Sequence, residues 1–157
     1  MSRIIGIARR GKSRVPMEKS QSATISTEIG LLGDCKGSKF PERQITILAI
    51  EDWKATLALL DGIDLDWTVR RANLLVSGIV LPRGRGSKIA IGDVVVEVRG
   101  QTSPCQQMEN AQKGLRKALS GEWRGGVSCR VVSGGEIRIG DDIKTIVEFP
   151  ETIIRLP

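Results

Sequence analysis

Ser87-Lys-Ile-Ala-Ile-Gly-Asp-Val-Val-Val-Glu-Val98 is a run of Ile and Val broken in the middle by Gly92-Asp93. It reads as strand, turn, strand. The glycine permits a positive φ, and the aspartate can bond nearby backbone amides. Gly135-Glu-Ile-Arg-Ile-Gly-Asp-Asp-Ile-Lys-Thr-Ile146 repeats the pattern with Gly140-Asp141 at its break. Turns of this kind suit small β-barrels, and both are read as structural.

Working outward, the other apolar segments are also short and bounded by Gly, Pro, Ser or Asp. They are Arg3–Arg9, Ala23–Ile29, Gln44–Ala49, Ala72–Val80 and Val127–Ser133, flanking the two echoing runs at Lys88–Arg99 and Glu136–Phe149. Several alternate polar and apolar residues, as half-buried strands do. A basic surface loop is expected after the first (Arg9, Arg10, Lys12, Arg14). Two segments carry a helical period. In Glu51–Leu60, Trp53, Leu57 and Leu60 share a face, acidic residues sit in the first turn, and Gly62 follows as a stop. In Pro104–Leu119, Met108, Ala111, Leu115, Ala118 and Leu119 form one stripe, read as core packing, and Gly121 ends it. The expected fold is therefore mainly β, a distorted barrel with two or three short helices. At 157 residues with no linker or low-complexity tract, residues 1–157 are expected to form one domain.

Composition narrows the chemistry. Apolar residues are 40% and charged residues 27%, an ordinary globular balance. The chain has no His, which excludes Ser-His-Asp triads, Cys-His dyads and His-ligated zinc sites. Proton transfer near neutrality would fall to Cys, Lys or a shifted carboxylate. The net charge of +6 favours anionic partners: phosphates, nucleic acid, acidic lipid or an anionic cofactor. The three cysteines, Cys35, Cys105 and Cys129, are odd in number and show no CxxC spacing, against a disulfide framework or structural zinc. With no signal-like or spanning apolar stretch, a cytoplasmic protein without membrane contact is expected.

Among candidate site residues Cys105 stands first. Ser103 reads as an N-cap, Pro104 as the first helical residue, and Gln106 completes a capping-box spacing. Cys105 then falls in a first helical turn after a strand, where orphan amides and the dipole favour a thiolate. The competing reading is a buried structural cysteine. Cys129 alternates with Val127 and Val131 and reads as core; Cys35 has no local role. Arg71 and Asn73 share a face at a strand entry and could clamp a phosphate, with Arg130 on the face opposite Cys129. Gly125-Gly126 before that strand allows a backbone to approach a ligand closely. Each arginine has the alternative reading of a solvated surface charge.

In order along the chain, Gly30-Leu-Leu-Gly-Asp34, Arg43-Gln-Ile-Thr46, Arg71-Ala-Asn73, Ile91-Gly-Asp93, Pro104-Cys105, Gly125-Gly-Val-Ser-Cys-Arg130-Val and Gly135–Asp141 resemble a MOSC domain. This is the family named after the C-terminal domain of molybdenum cofactor sulfurase, and the resemblance runs from about Gly30 to Ile146. It implies a distorted β-barrel in which Cys105 holds the molybdenum of a pterin cofactor or carries a sulfur atom. Arg71, Asn73 and Arg130 would line the pocket, with Gly126 and Asp34 beside it. A thiolate suits a soft centre, and arginines suit a phosphate. Many relatives carry His a little after the first Gly-Asp, where this chain has Cys35-Lys36-Gly37. The pyridoxal-phosphate desulfurase domain of full sulfurases is not expected, nor is the N-terminal barrel of larger relatives, so the chain reads as a minimal stand-alone member.

Three functions follow. The first is a molybdenum-cofactor protein that reduces N-hydroxylated compounds or handles cofactor sulfur, with an anionic pterin and a redox or sulfur-donor protein as partners. The second is a basic β-barrel module for nucleic acid or another anion; the chain's five aromatics, none of them Tyr, offer few stacking surfaces. The third is an orphan domain that keeps the fold without the metal.

Overall fold

The computed structural model describes residues 1–151. The strands are β1 (Arg3–Arg9), β2 (Glu18–Ser20), β3 (Ser22–Ser26), β4 (Gly30–Leu31), β5 (Ile45–Ala49), β6 (Leu74–Ser77), β7 (Lys88–Ile91), β8 (Val94–Gln101), β9 (Val127–Ser133), β10 (Gly135–Arg138) and β11 (Ile143–Val147). The helices are α1 (Ile50–Ala58), α2 (Gln106–Ala111) and α3 (Leu115–Leu119), with short 3₁₀ turns at Pro41–Arg43 and Trp67–Arg70.

One large sheet runs β11-β7-β8-β9-β5-β6-β1-β2, and a smaller one runs β10-β3-β4. Pairing is antiparallel except between β5 and β6. The large sheet does not close into a full barrel. It curls until a bridge between Arg3 and Asp142 brings the start of β1 beside the start of β11.

The sequence pattern explains the layers. Ile89 and Ile91 of β7, and Val94, Val96 and Val98 of β8, alternate with more exposed residues and point into the inner core. β5 is buried at every position because both its faces are covered. Ile45, Ile47 and Ala49 join the inner core, while Leu48 meets a second core of Trp53, Trp67, Leu75, Met108, Leu115 and Leu119. The helices thus pack over the outer face of β5 and β6; α1 leaves the C-terminal end of β5, while the approach to α2 lies at the end where β5 and β6 begin.

The two echoing segments fold differently. Lys88–Arg99 is a hairpin, with β7 paired to β8 across Gly92-Asp93. In the second, β10 pairs with β3 and β11 pairs with β7, so its halves lie in different sheets. The turn between them is held by β1: Ile4 N donates to Asp141 O, and Gly140 N donates to Ile4 O.

The helix expected over Pro104–Leu119 is two helices. Gln112 is extended (φ −157°) and Gly114 is left-handed (φ 87°). The Glu109 carboxylate accepts from Gly114 N at 2.9 Å and Arg116 N at 3.4 Å, which starts α3. Met108, Leu115 and Leu119 are still buried, but Ala111 is exposed. The helix also begins at Gln106 rather than Pro104. Cys105 is the N-cap, in an extended conformation, and its carbonyl accepts from Met108 N. With Cys105 in the N-cap place, Ser103 lies outside the helix and the capping-box expectation is not met.

Candidate functional site

A cavity of about 240 Å³ opens at the end of β5 and β6 where the α2 approach crosses. Thr102, Ser103 and Cys105 come to it from the end of β8, and Gly125 from the turn before β9. Arg70 and Arg71 come from the 3₁₀ turn, Lys36, Phe40 and Arg43 from the segment before β5, and Arg10 from the end of β1. Among the described residues its lining thus holds five cationic side chains, Arg10, Lys36, Arg43, Arg70 and Arg71, and no carboxylate. Cys105 is exposed at its rim, so the buried reading of this cysteine does not hold. A second cavity of about 310 Å³ adjoins it and shares Arg71, Gln107 and Met108.

Arg70 is the frame of the site. It is 6% exposed, its Nε donates to Gly125 O at 3.1 Å, and its Nη2 donates to Thr102 O at 2.8 Å. It therefore ties the glycine turn to the strand that leads to Cys105. Burial lowers its pKa to about 10, with Cys105 acting in the opposite direction. Gly125 must lack a side chain, because a Cβ there would lie 2.5 Å from Thr102 O and 3.1 Å from Arg70 Nη2. Arg43 stacks on Phe40 with its guanidinium carbon 4.7 Å from the ring centroid, a cation–π contact that orients it at the rim.

Lys36 reaches in from the loop. Its Nζ donates to Thr46 Oγ1 at 3.1 Å. Burial lowers its pKa to about 8; Asp34 opposes that shift, and Arg10 and Arg70 reinforce it. Behind it, Asp34 Oδ1 accepts from the Arg10 backbone N–H, whereas Asp34 Oδ2 and Arg10 Nη1 are buried with no hydrogen-bond partner among the described residues.

The structure brings Arg71 and Cys105 to one cavity and distributes the other expected residues around it. Arg71 is not on a strand: it closes the 3₁₀ turn in a left-handed conformation (φ 66°), so alternation does not set its direction. Asn73 is fully buried and does not line the cavity. Its Oδ1 accepts from Thr46 N at 3.0 Å and its Nδ2 donates to Ala8 O at 3.2 Å. It acts from behind, by fixing Thr46, which does line the cavity. Asp34 is likewise behind the lining, at 7% exposure. Gly126 lies one residue beyond Gly125; its φ is 92°, and a Cβ there would lie 2.2 Å from Ile47 O. Arg130 does not line the cavity. It is exposed and donates to Glu97 Oε1 at 3.2 Å, beside Arg99. Facing away from buried Cys129 turns it outward, because the opposite face of β9 there is solvent. Burial pushes the Cys129 thiol up strongly, as its core reading requires.

Sequence reading missed Arg10, Lys36, Arg43 and Arg70 as lining residues. Their common signal is position: each sits within a few residues of a segment already singled out, at the same end of the sheet.

The donor set has a clear chemistry. Among the described residues no group of three His, Cys, Asp or Glu is arranged to hold a metal ion. A metal here would arrive carrying its other ligands, with Cys105 adding one soft donor and the cations meeting attached negative charge. The partnerless Arg10 Nη1 at the cavity is consistent with an anionic occupant. Among the described residues, no helix is long and apolar enough to cross a membrane.

Solved structures share the fold. The YuaD protein of Bacillus subtilis superposes with a TM-score of 0.75 at 19% identity, over 91% of this chain and 94% of that one. YiiM of Geobacillus stearothermophilus gives 0.72 at 16% identity, over 93% and 75%. YiiM of Escherichia coli gives 0.68 at 16%, over 94% and 71%. No curated protein matches the chain. Residues 33–144, well over half of the sequence, match the MOSC domain, and they span the cavity from Lys36 to Gly125. The chain belongs to the MOSC domain family.

Proposed function

We propose that this protein binds a molybdenum–pterin cofactor or carries sulfur for one, with Cys105 as the reactive group. The observation that supports the reading most is the exposed thiol of Cys105 at the rim of a cavity lined, among the described residues, by five cationic and no acidic side chains. When bound, the cofactor supplies redox chemistry or accepts sulfur. The chain's own residues do the rest. Arg71, Arg10 and Arg43 hold the phosphate, as unpaired guanidinium groups suit a phosphate's paired oxygens. Arg70 keeps the glycine turn and the Cys105 segment in register. The adjoining cavity gives a ligand larger than a metal ion room to extend past Arg71. The anionic pterin is the first partner, and a redox protein or sulfur donor must reach the exposed thiol. The free thiols fit a cytoplasmic location.

The nucleic-acid reading finds less support. Of the basic stretch Arg83-Gly-Arg85-Gly-Ser-Lys88 that would serve it, Arg83 donates to Glu122 O at 2.8 Å, and Arg85 pairs with Glu42 at 3.6 Å.

The test is molybdenum and pterin content per chain, with sulfur loading, for protein made in a cofactor-producing host. Cys105→Ser is expected to lose the metal or sulfur, because a hydroxyl is a harder and less acidic ligand, while stability falls by about 1 kcal/mol or less. Arg71→Ala is expected to weaken binding by about 1.5–3 kcal/mol. Equal content in wild type and Cys105→Ser sinks the reading, and an empty wild type favours an orphan domain.

A further inference from the structure

We propose that Lys36 is the proton-exchanging group of the Cys105 cavity, an amine that gains a proton as an oxoanion enters and holds it against the oxoanion's oxygen. The inference rests on the reading above only in taking the ligand to be anionic.

The argument begins with what lines the cavity. The chain has no His. The guanidinium groups of Arg10, Arg43, Arg70 and Arg71 are permanent cations and exchange no proton near neutrality. Asp34 lies behind the wall and is not part of the lining. Apart from Cys105, Lys36 is therefore the one lining group among the described residues able to change its charge near neutrality.

Its geometry suits the task. The Nζ has one neutral acceptor, Thr46 Oγ1 at 3.1 Å, and among the described residues no carboxylate pairs with it. An ammonium has three N–H groups, so others are free for a ligand. The acceptor is itself fixed. Thr46 Oγ1 lies 3.3 Å from Asn73 Oδ1, and Asn73 is anchored to Ala8 O. Lys36 is thus held by a buried chain of side chains rather than by an opposite charge. The charged groups facing it divide: Asp34 and Cys35 favour the ammonium, while Arg10 and Arg70 oppose it. Desolvation outweighs them and leaves the amine at about 8, so the empty cavity holds Lys36 partly uncharged at mildly alkaline pH. An entering oxoanion reverses that balance, because it supplies the negative charge that the cavity lining lacks. The residue as a whole keeps some exposure to solvent although its amine is desolvated, which leaves a route for the proton.

The probe is inorganic sulfate, which has no proton of its own to exchange at these pH values. Calorimetric titration of the full chain at pH 8, in two buffers of different ionisation heat, reads protons taken up per sulfate bound. Wild type is expected to take up about half a proton, the fraction missing from a group at its midpoint. Lys36→Arg should bind sulfate within about threefold of wild type with no uptake. Lys36→Met should lose affinity about tenfold and show no uptake. Thr46→Val should keep binding but move the midpoint of uptake to lower pH, since the hydroxyl that accepts from the ammonium is gone. Uptake by Lys36→Arg equal to wild type overturns the proposal. So does an absence of sulfate binding, or a Lys36 amine that titrates at its ordinary value in ¹⁵N-lysine spectra of the free protein. An unmoved midpoint in Thr46→Val overturns the positioning role. Proton uptake in a protein that never retains molybdenum or pterin would leave this inference standing and sink the cofactor reading. Retained cofactor without uptake would do the reverse.

Discussion

Asn73→Ala separates a residue that builds the site from one that touches its ligand. The Asn73 side chain accepts from Thr46 N at 3.0 Å and donates to Ala8 O at 3.2 Å, and the residue is fully buried between β1 and β5. Truncation leaves one backbone N–H and one backbone carbonyl without partners, each at about 1–3 kcal/mol. A loss of about 3–4 kcal/mol is expected. At roughly 2–4 °C per kcal/mol for a chain of this size, the melting temperature should fall by about 6–16 °C. The assay is thermal and urea unfolding of wild type, Asn73→Ala and Arg71→Ala, beside pterin content at a temperature where all three are folded. Arg71 has no hydrogen bond from its side chain among the described residues, so its truncation should barely move the melt while lowering pterin content. If Asn73→Ala melts within about 2 °C of wild type and loses pterin as strongly as Arg71→Ala, Asn73 contacts the ligand and the placement argued here is wrong.

The remaining expectations follow from other parts of the wall. A small alkylating reagent should modify Cys105 first and Cys129 only on unfolding, since Cys105 is exposed and Cys129 has no accessible surface; peptide mass reads the order, and an inert Cys105 would refute the site. Gly126→Ala should destabilise by at least about 1–3 kcal/mol, because it forces a side chain into a positive-φ position 2.2 Å from Ile47 O, and an unchanged urea midpoint would contradict that. Lys36 carries a pH signature. Its folded-state pKa of about 8 lies below the ordinary 10.5, so the unfolded chain holds more protons across that window. Its desolvation penalty is full below pH 8 and is relieved as pH rises towards 10.5, so the stability of Lys36→Met relative to wild type should shrink over that range. A difference that is flat with pH, by urea unfolding, would count against a perturbed amine.

Local chemistry determined much of this protein from its sequence. Period-two alternation placed β7, β8 and β9 with the correct face inward, because a strand's side chains must divide between core and solvent. The same rule marked Cys129 as core, while Cys105, beside a proline and a strand end, was left between a reactive and a buried reading until the fold exposed it. Alternation failed at Arg71 and Asn73, which lie between the 3₁₀ turn and β6: Arg71 caps the turn in a left-handed conformation, which resets the direction of the side chains that follow. It could not place Arg130 relative to the cavity either, since that depends on which elements cover the far face of β9.

Tertiary structure alone decided the rest. Two segments with one pattern, Ser87–Val98 and Gly135–Ile146, became a hairpin and a split pair because β1 binds the second turn through Ile4 and not the first. Arg10, Lys36, Arg43, Arg70 and Arg71 are spread over some sixty residues of sequence and meet at one cavity because β1, β5 and β6 lie side by side there. A cluster of charges from separate loops leaves no periodic trace in a sequence. Only the pairing of the strands that carry those loops brings them together.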